Sequence, residues 1–218
     1  MGIGHMGVAL AAKRLAPRAS LGVLFLAAEL LDLLWPFFLL LGLEHVRISP
    51  GWTLLSPFDF YDYPITHSLA TALGWSLVAG LGYYAVRRDL RAAWVIGIAV
   101  TSHWVLDAVV HRPDLPLAPG SGVYAGFGLW NSRAATTIAE AGIFLAGTVL
   151  YLRSTAARDA AGRYGLWALL ALCAIIGVGT WVGQPPPPSV RALAIGGLGL
   201  WLFLPWAWWA DRHRGPAQ

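Results

Sequence analysis

Six apolar runs, each near the length of a membrane-crossing helix and separated by stretches rich in Pro, Gly and charge, constrain this chain more than any other feature. They are Ser20–Leu43, Ile65–Val86, Ala92–His111, Ser132–Leu152, Gly165–Gly183 and Val190–Ala210. At about 1.5 Å per residue, a run of some twenty residues crosses a hydrocarbon layer roughly 30 Å thick. The runs do not alternate in polarity as barrel strands do, and backbone in hydrocarbon must satisfy its own hydrogen bonds. The expected fold class is therefore all-α: a polytopic membrane helical bundle with six transmembrane helices.

Composition leads to the same place. Of 218 residues, 57% are apolar and 12% charged, too few polar groups to cover a water-soluble globule. The net charge of +4 is dispersed in small groups between the runs, with no stripe or tail, which argues against a nucleic-acid partner and for membrane lipid. Cys173 stands alone inside an apolar run, so it forms no disulfide within the chain and reads as a small core residue. There is no internal repeat, and residues 1–218 read as a single integral membrane domain.

The basic groups set an orientation. Lys13, Arg14, Arg18, Arg87, Arg88, Arg91, Arg153, Arg158, Arg163, Arg212 and Arg214 fall on one side, and Arg47, Arg112, Arg133 and Arg191 on the other. The positive-inside rule then puts both termini in the cytoplasm, and Trp206, Trp208 and Trp209 form an aromatic belt at that face. Lys13, Arg14 and Arg18 follow the first apolar stretch, where a secretory leader has its charges first, so no cleavage is expected. Ile3–Leu15 is too short to cross and is followed by Pro17. With Lys13 at the headgroups, a helical His5 lies roughly 12 Å deeper, which predicts a short N-terminal half-spanning helix entering the bundle.

Ionisable groups at membrane depth cost about 2.5–3.5 kcal/mol each on insertion scales, so they invite a functional explanation. The candidates are His5, Glu29, Asp32, His67, His103, Asp107, His111 and Glu140. His103, Asp107 and His111 are spaced four and four apart and share one helical face. Together with the predicted orientation, this brings groups from several helices to similar depth, toward the extracytoplasmic side. Imidazole and carboxylate suit a divalent metal, zinc first, with manganese or iron also compatible; the lack of a thiolate cluster argues against a structural zinc–cysteine site. His67, His103, Asp107 and Asp32 are the expected ligands, His5 and His111 further ones, and Glu140 a base or additional ligand. Glu29 and Asp32 lie one turn apart, and Asp32 is preferred. The competing readings are an interhelical hydrogen-bond network without metal, a satisfied core histidine at position 5, and a solvated loop histidine at position 111.

A metal with an open position polarises phosphoryl or acyl oxygens and lowers the pKa of water, so hydrolysis is the natural chemistry, with Glu140 as general base. HExxH and GxSxG motifs are both missing.

His5, Asp32, Thr66-His67-Ser68 and Ser102-His103 with Asp107 resemble the motifs of the membrane-bound metal-dependent hydrolase family, whose members are described as LexA-binding and inner-membrane-associated. Arg112-Pro-Asp-Leu-Pro-Leu117 and Leu129-Trp-Asn-Ser132 look like one branch of it. The similarity covers roughly the first 150 residues. Ala28-Glu-Leu-Leu-Asp32 and Pro64-Ile65 stand where the family often has Pro-Asp and Arg-Gly. The resemblance implies a metal-dependent hydrolase of the bacterial inner membrane, phospholipase C-like by analogy, acting on a lipid or other amphipathic phosphoester or ester. The alternative is a proton- or metal-ion-coupled transporter, which predicts ionisable groups through the full membrane depth, whereas the inner halves of the spans look empty of them.

Overall fold

The computed structural model describes residues 1–183 and 185–217. Helices α1 (Ile3–Leu15), α2 (Leu21–Ala28) and α3 (Leu30–Leu40) lead into a ribbon of β1 (His45–Ile48) and β2 (Phe58–Asp62). The single turn α4 (Pro64–His67) then precedes α5 (Leu69–Arg87) and α6 (Leu90–Val110), which a second ribbon, β3 (Leu115–Pro116) with β4 (Tyr124–Ala125), connects to α7 (Arg133–Ser154). Next come β5 (Thr155–Ala157), α8 (Ala160–Val182), α9 (Val190–Gly197), α10 (Phe203–Arg212) and β6 (Arg214–Pro216), which pairs with β5. A 3-10 stretch, Leu198–Leu202, joins α9 to α10.

The chain is the all-α bundle expected. Four unbroken helices (α5 to α8) and the α9–α10 unit are long and apolar enough to cross a membrane, and α2 with α3 makes a sixth, broken span bent by 58°. That break corrects the expectation of one continuous span over Ser20–Leu43. Helix starts are fixed by caps: Ser20, Ser68, Asp89, Ser132, Asp159 and Ser189 each use a side-chain oxygen to accept the backbone N–H three residues on, so α8 begins at Ala160, five residues before the expected Gly165.

The short helix α1 is the centre of the bundle, not an accessory. From Ile3 to Lys13 it is largely buried, packing on α2, α6, α7 and α8, and its last two residues, Arg14 and Leu15, are exposed. Its small residues allow the approach to α7: a Cβ on Gly7 would stand 2.7 Å from the Ile143 carbonyl oxygen. Gly74 on α5, by contrast, faces open space. Gly7→Ala is therefore expected to destabilise the protein by about 1–3 kcal/mol through overpacking against backbone. Gly74→Ala, which gains helix propensity without a clash, should leave the detergent-solubilised melting temperature unchanged or raised. Equal melting temperatures for both variants would show that the α1–α7 contact is not tight.

The two ends of the bundle differ. At the basic end, Lys13 Nζ donates to Asp211 Oδ2 at 2.7 Å and to the Ala19 carbonyl at 2.9 Å, closing the C-terminus of α1 against α10. At the opposite end, the N-terminus of α1 meets the β1–β2 ribbon, the 111–131 connection and the candidate site.

Candidate metal centre

Four segments deliver nitrogen and oxygen atoms to one place near the N-terminus of α1. His103 and Asp107 come from adjacent turns of α6, Asp32 from the first turn of α3, His67 from the last residue of α4, and His5 from the first turn of α1. Two overlapping sets of potential ligand atoms, His5–Asp32–His103 and His67–His103–Asp107, each lie within 4.8 Å of one another. Asp107 sits between the others: its Oδ1 is 3.1 Å from His5 Nε2, and its Oδ2 is 3.2 Å from His103 Nε2 and 3.8 Å from His67 Nε2. Asp32 Oδ1 lies 3.3 Å from His67 Nε2 and 3.7 Å from His103 Nε2. The His5 and His103 rings stack with centroids 3.7 Å apart. The Met1 amino nitrogen is also ion-paired with Asp107.

The hydrogen bonds behind the rings fix which nitrogen carries the proton. His103 Nδ1 lies 2.7 Å from the carbonyl oxygen of Ala28, which can only accept, so Nδ1 donates and Nε2 presents a lone pair. Ala28 is the last residue of α2, at the 58° bend into α3. For His67 the fixing is indirect. Glu44 accepts from the backbone N–H groups of Ile65 and Thr66 and from Thr66 Oγ1 at 2.7 Å. The Thr66 hydroxyl, its one hydrogen committed to Glu44, can only accept from His67 Nδ1 at 2.7 Å, leaving Nε2 with its lone pair facing Asp32 and Asp107.

The Nε2 atoms of His67 and His103 thus converge with two carboxylates, and in the neutral rings those nitrogens carry the lone pairs a metal ion needs. The Met1 ammonium and His5 Nε2 donate to Asp107 Oδ1, whereas buried His103 Nε2 has no hydrogen-bond partner despite its short distance to Asp107 Oδ2. A divalent cation among these atoms would take up the His103 Nε2 lone pair and compensate both carboxylates, of which the Met1 ammonium pairs with Asp107 alone. The spacing fits one: two atoms each about 2.1 Å from a tetrahedral ion lie roughly 3.4 Å apart. The backing of each ring by a carbonyl or a hydroxyl–carboxylate pair is the outer-shell arrangement that metal-binding histidines use. These buried His and Asp groups can hold a metal ion.

The remaining candidates fall outside the ligand sets. Glu140 is buried on α7; its Oε1 accepts from the backbone N–H of Gly2 at 3.1 Å, and its Oε2 has no partner. Glu29 is buried at the α2–α3 break with Oε1 unpartnered, and of the pair one turn apart it is Asp32 that reaches the other ligands. His111 departs from the expected shared face because it is the C-cap of α6, with extended backbone, φ −64° and ψ 153°. Its ring leaves the helical register, packs on Trp130, and bonds through Nδ1 to Asp114 Oδ1 at 2.9 Å. Tyr63 shares that carboxylate, its hydroxyl 3.4 Å from Asp114 Oδ1. Burial, and next the charge of Asp114, hold the Tyr63 hydroxyl well above its ordinary pKa, so it stays a proton donor.

A cavity of about 230 Å³ opens on the cluster. Asp32, His67 and Asp107 form part of its wall, with Glu140, His111 and Trp130 around them. Thr180 and Trp181 of α8 also line it, a contribution that no ionisable residue in that span signalled. Glu44 and Thr66 were likewise missed, although Thr66 adjoins the histidine it orients. Comparison of the chain with family models, curated proteins and solved structures found no match in any of the three.

Proposed function

We propose that this protein is a membrane-embedded metal-dependent hydrolase of lipids or other amphipathic phosphoesters or esters. The observation that carries the reading is the position of the His/Asp cluster in the wall of a cavity that also holds Glu140, a buried carboxylate with one oxygen fixed and the other free. Zinc suits the mixed imidazole–carboxylate donor set, with manganese or iron as alternatives. When bound, such an ion supplies Lewis acidity, polarising a phosphoryl or acyl oxygen and bringing the pKa of water toward 7. The free oxygen of Glu140 takes the proton of the attacking water. Protonated Glu140 then returns that proton to the leaving group, while His111, its Nδ1–H held by Asp114, lines the same cavity and accepts a hydrogen bond from water or substrate through its other nitrogen.

Support for an amphipathic substrate comes from a second depression of about 440 Å³ that shares Asp32, Trp35, Leu55, Phe58 and Thr180 with the cavity and continues past Pro36, Gly197 and Leu200. A polar reactive group at the cluster would leave an apolar tail in this channel. The positive-inside rule puts the basic end in the cytoplasm and the cavity mouth on the extracytoplasmic side of an inner membrane. A carrier for protons or metal ions is the competing reading. It needs polar groups along the whole path, yet fully buried Ala9, Leu10, Leu24 and Phe25 belong to the apolar core that runs through the bundle.

The test is hydrolysis of short-chain phosphoester and carboxylester amphiphiles by the zinc-loaded protein in detergent, beside Glu140→Gln. The variant is expected to keep its metal and lose about 100-fold or more of kcat. Undiminished turnover by Glu140→Gln removes that residue from the chemistry. Metal movement across liposomes with no cleavage of either ester class replaces the hydrolase with a carrier.

A further inference from the structure

A groove of about 640 Å³ lies away from the metal centre and shares no wall residue with its cavity. Val23, Leu30 and Leu34 line one side, and Trp75, Val78 and Gly82 of α5 the other. Helix α5 packs against α6, with Ser76 Oγ donating to the Gly97 carbonyl at 2.6 Å, and its face toward α2 and α3 is left uncovered. From Trp75 to Arg87 the helix rises about 18 Å, close to the hydrocarbon depth of one leaflet, about 15 Å.

The basic end of the groove is marked by Arg18 and Arg87, with the amphipathic rings of Tyr83 and Trp208 beside them. No acidic residue lines the groove. Among the described residues Arg47 is the one arginine in an ion pair, so neither Arg18 nor Arg87 is neutralised by a carboxylate of this chain. The adjoining hollow adds Arg91 and Asp89, the latter already bonded to the Ala92 N–H as helix cap. Two unpaired guanidinium groups at the mouth of an apolar slot one leaflet deep match a single kind of occupant: a phosphate head with a hydrocarbon tail.

We propose that the groove is a structural binding site for one anionic glycerophospholipid of the leaflet at the basic end, its phosphate held between Arg18 and Arg87 and one acyl chain lying along α5 toward Trp75. The site requires that the chain be in a membrane and is independent of any hydrolysis at the metal centre. Because the groove and the catalytic cavity have no residue in common, this lipid is a resident one and not the substrate.

Native mass spectrometry of the full chain in mild detergent, titrated with phosphatidylglycerol or with phosphatidylcholine of the same acyl chains, tests the site. The wild-type protein is expected to retain one phosphatidylglycerol, and phosphatidylcholine far less. Arg18→Gln with Arg87→Gln should weaken phosphatidylglycerol retention roughly 30-fold, about fivefold per guanidinium. Gly82→Leu fills the groove where a Cβ meets nothing within 4 Å, so it should expel the lipid while both arginines and the fold remain. Gly82→Leu keeps the test decisive where the double charge variant fails to fold. Equal retention of the two lipids by the wild-type protein, or a phosphatidylglycerol adduct undiminished in Gly82→Leu, overturns the proposal. Neither readout depends on metal or on ester cleavage, so failure here leaves the hydrolase reading standing, and the reverse.

Discussion

Replacing His103 and Asp107 by alanine is expected to abolish metal binding: the wild-type protein, purified in detergent and analysed for elements, should carry at least one equivalent of divalent metal and the double variant only background. His103 belongs to both ligand sets, and Asp107 touches three of the imidazoles. His103 Nε2 has no hydrogen-bond donor to replace a cation, and without one the half-buried Asp32 and the buried Asp107 share a site in which the Met1 ammonium pairs with Asp107 alone. Chelation should therefore destabilise the wild-type protein, by about 4 kcal/mol where the ion had been present at 1,000 times its Kd. The double variant should melt at the same temperature with and without chelator. A gentler change probes the same centre: Thr66→Val deprives His67 Nδ1 of its acceptor and should weaken metal affinity about 10–100-fold, as loss of an outer partner does. Equal, near-zero metal in wild type and double variant would end the metal reading and the hydrolase with it.

What the sequence disclosed about this centre, and what it withheld, follows from helix geometry. The spacing of His103 and Asp107 places them one turn apart on a long helix that nothing interrupts, and in the structure they meet. The same periodicity extended to His111 fails because α6 ends at Val110, and a C-cap residue no longer obeys the helical register. The choice between Glu29 and Asp32 turns on a bend with neither Pro nor Gly at its apex, set by tertiary packing, which no local signal announces. The spans were legible because their apolar runs are continuous in sequence, although α8 begins at Ala160 and not Gly165, whereas the Glu44–Thr66–His67 chain joins residues separated by a ribbon and was not. The inner halves of the spans looked empty of charge, yet the structure buries Lys13 against Asp211 there. Asp211 reads as part of the polar tail Asp211-Arg-His-Arg214, and only the fold brings it 2.7 Å from a lysine near the other end of the chain.

Asp211→Ala should be the most destabilising single substitution at the basic end, lowering stability by about 3–5 kcal/mol. One carboxylate there serves three donors: Oδ2 accepts from Lys13 Nζ at 2.7 Å and from the Leu21 N–H at 3.1 Å, and Oδ1 accepts from the Tyr151 hydroxyl at 2.7 Å. Helices α1, α2, α7 and α10 are thereby tied at a single point. Alanine leaves Lys13, 9% exposed, with only the Ala19 carbonyl as partner, and an ammonium in that state loses most of its compensation for leaving water. For a chain of this size the loss amounts to a fall of roughly 6–20 °C in melting temperature. Asp211→Asn, which keeps the shape and one accepting oxygen, should fall between. Removing both charges as Lys13→Met with Asp211→Leu should recover the part of the loss due to the unpaired ammonium, but not the part due to the Tyr151 hydroxyl and the Leu21 N–H, which still lack their acceptor. A melting temperature for Asp211→Ala within 2 °C of wild type would mean that water reaches Lys13 freely and that α1 is held in the bundle by its apolar faces alone.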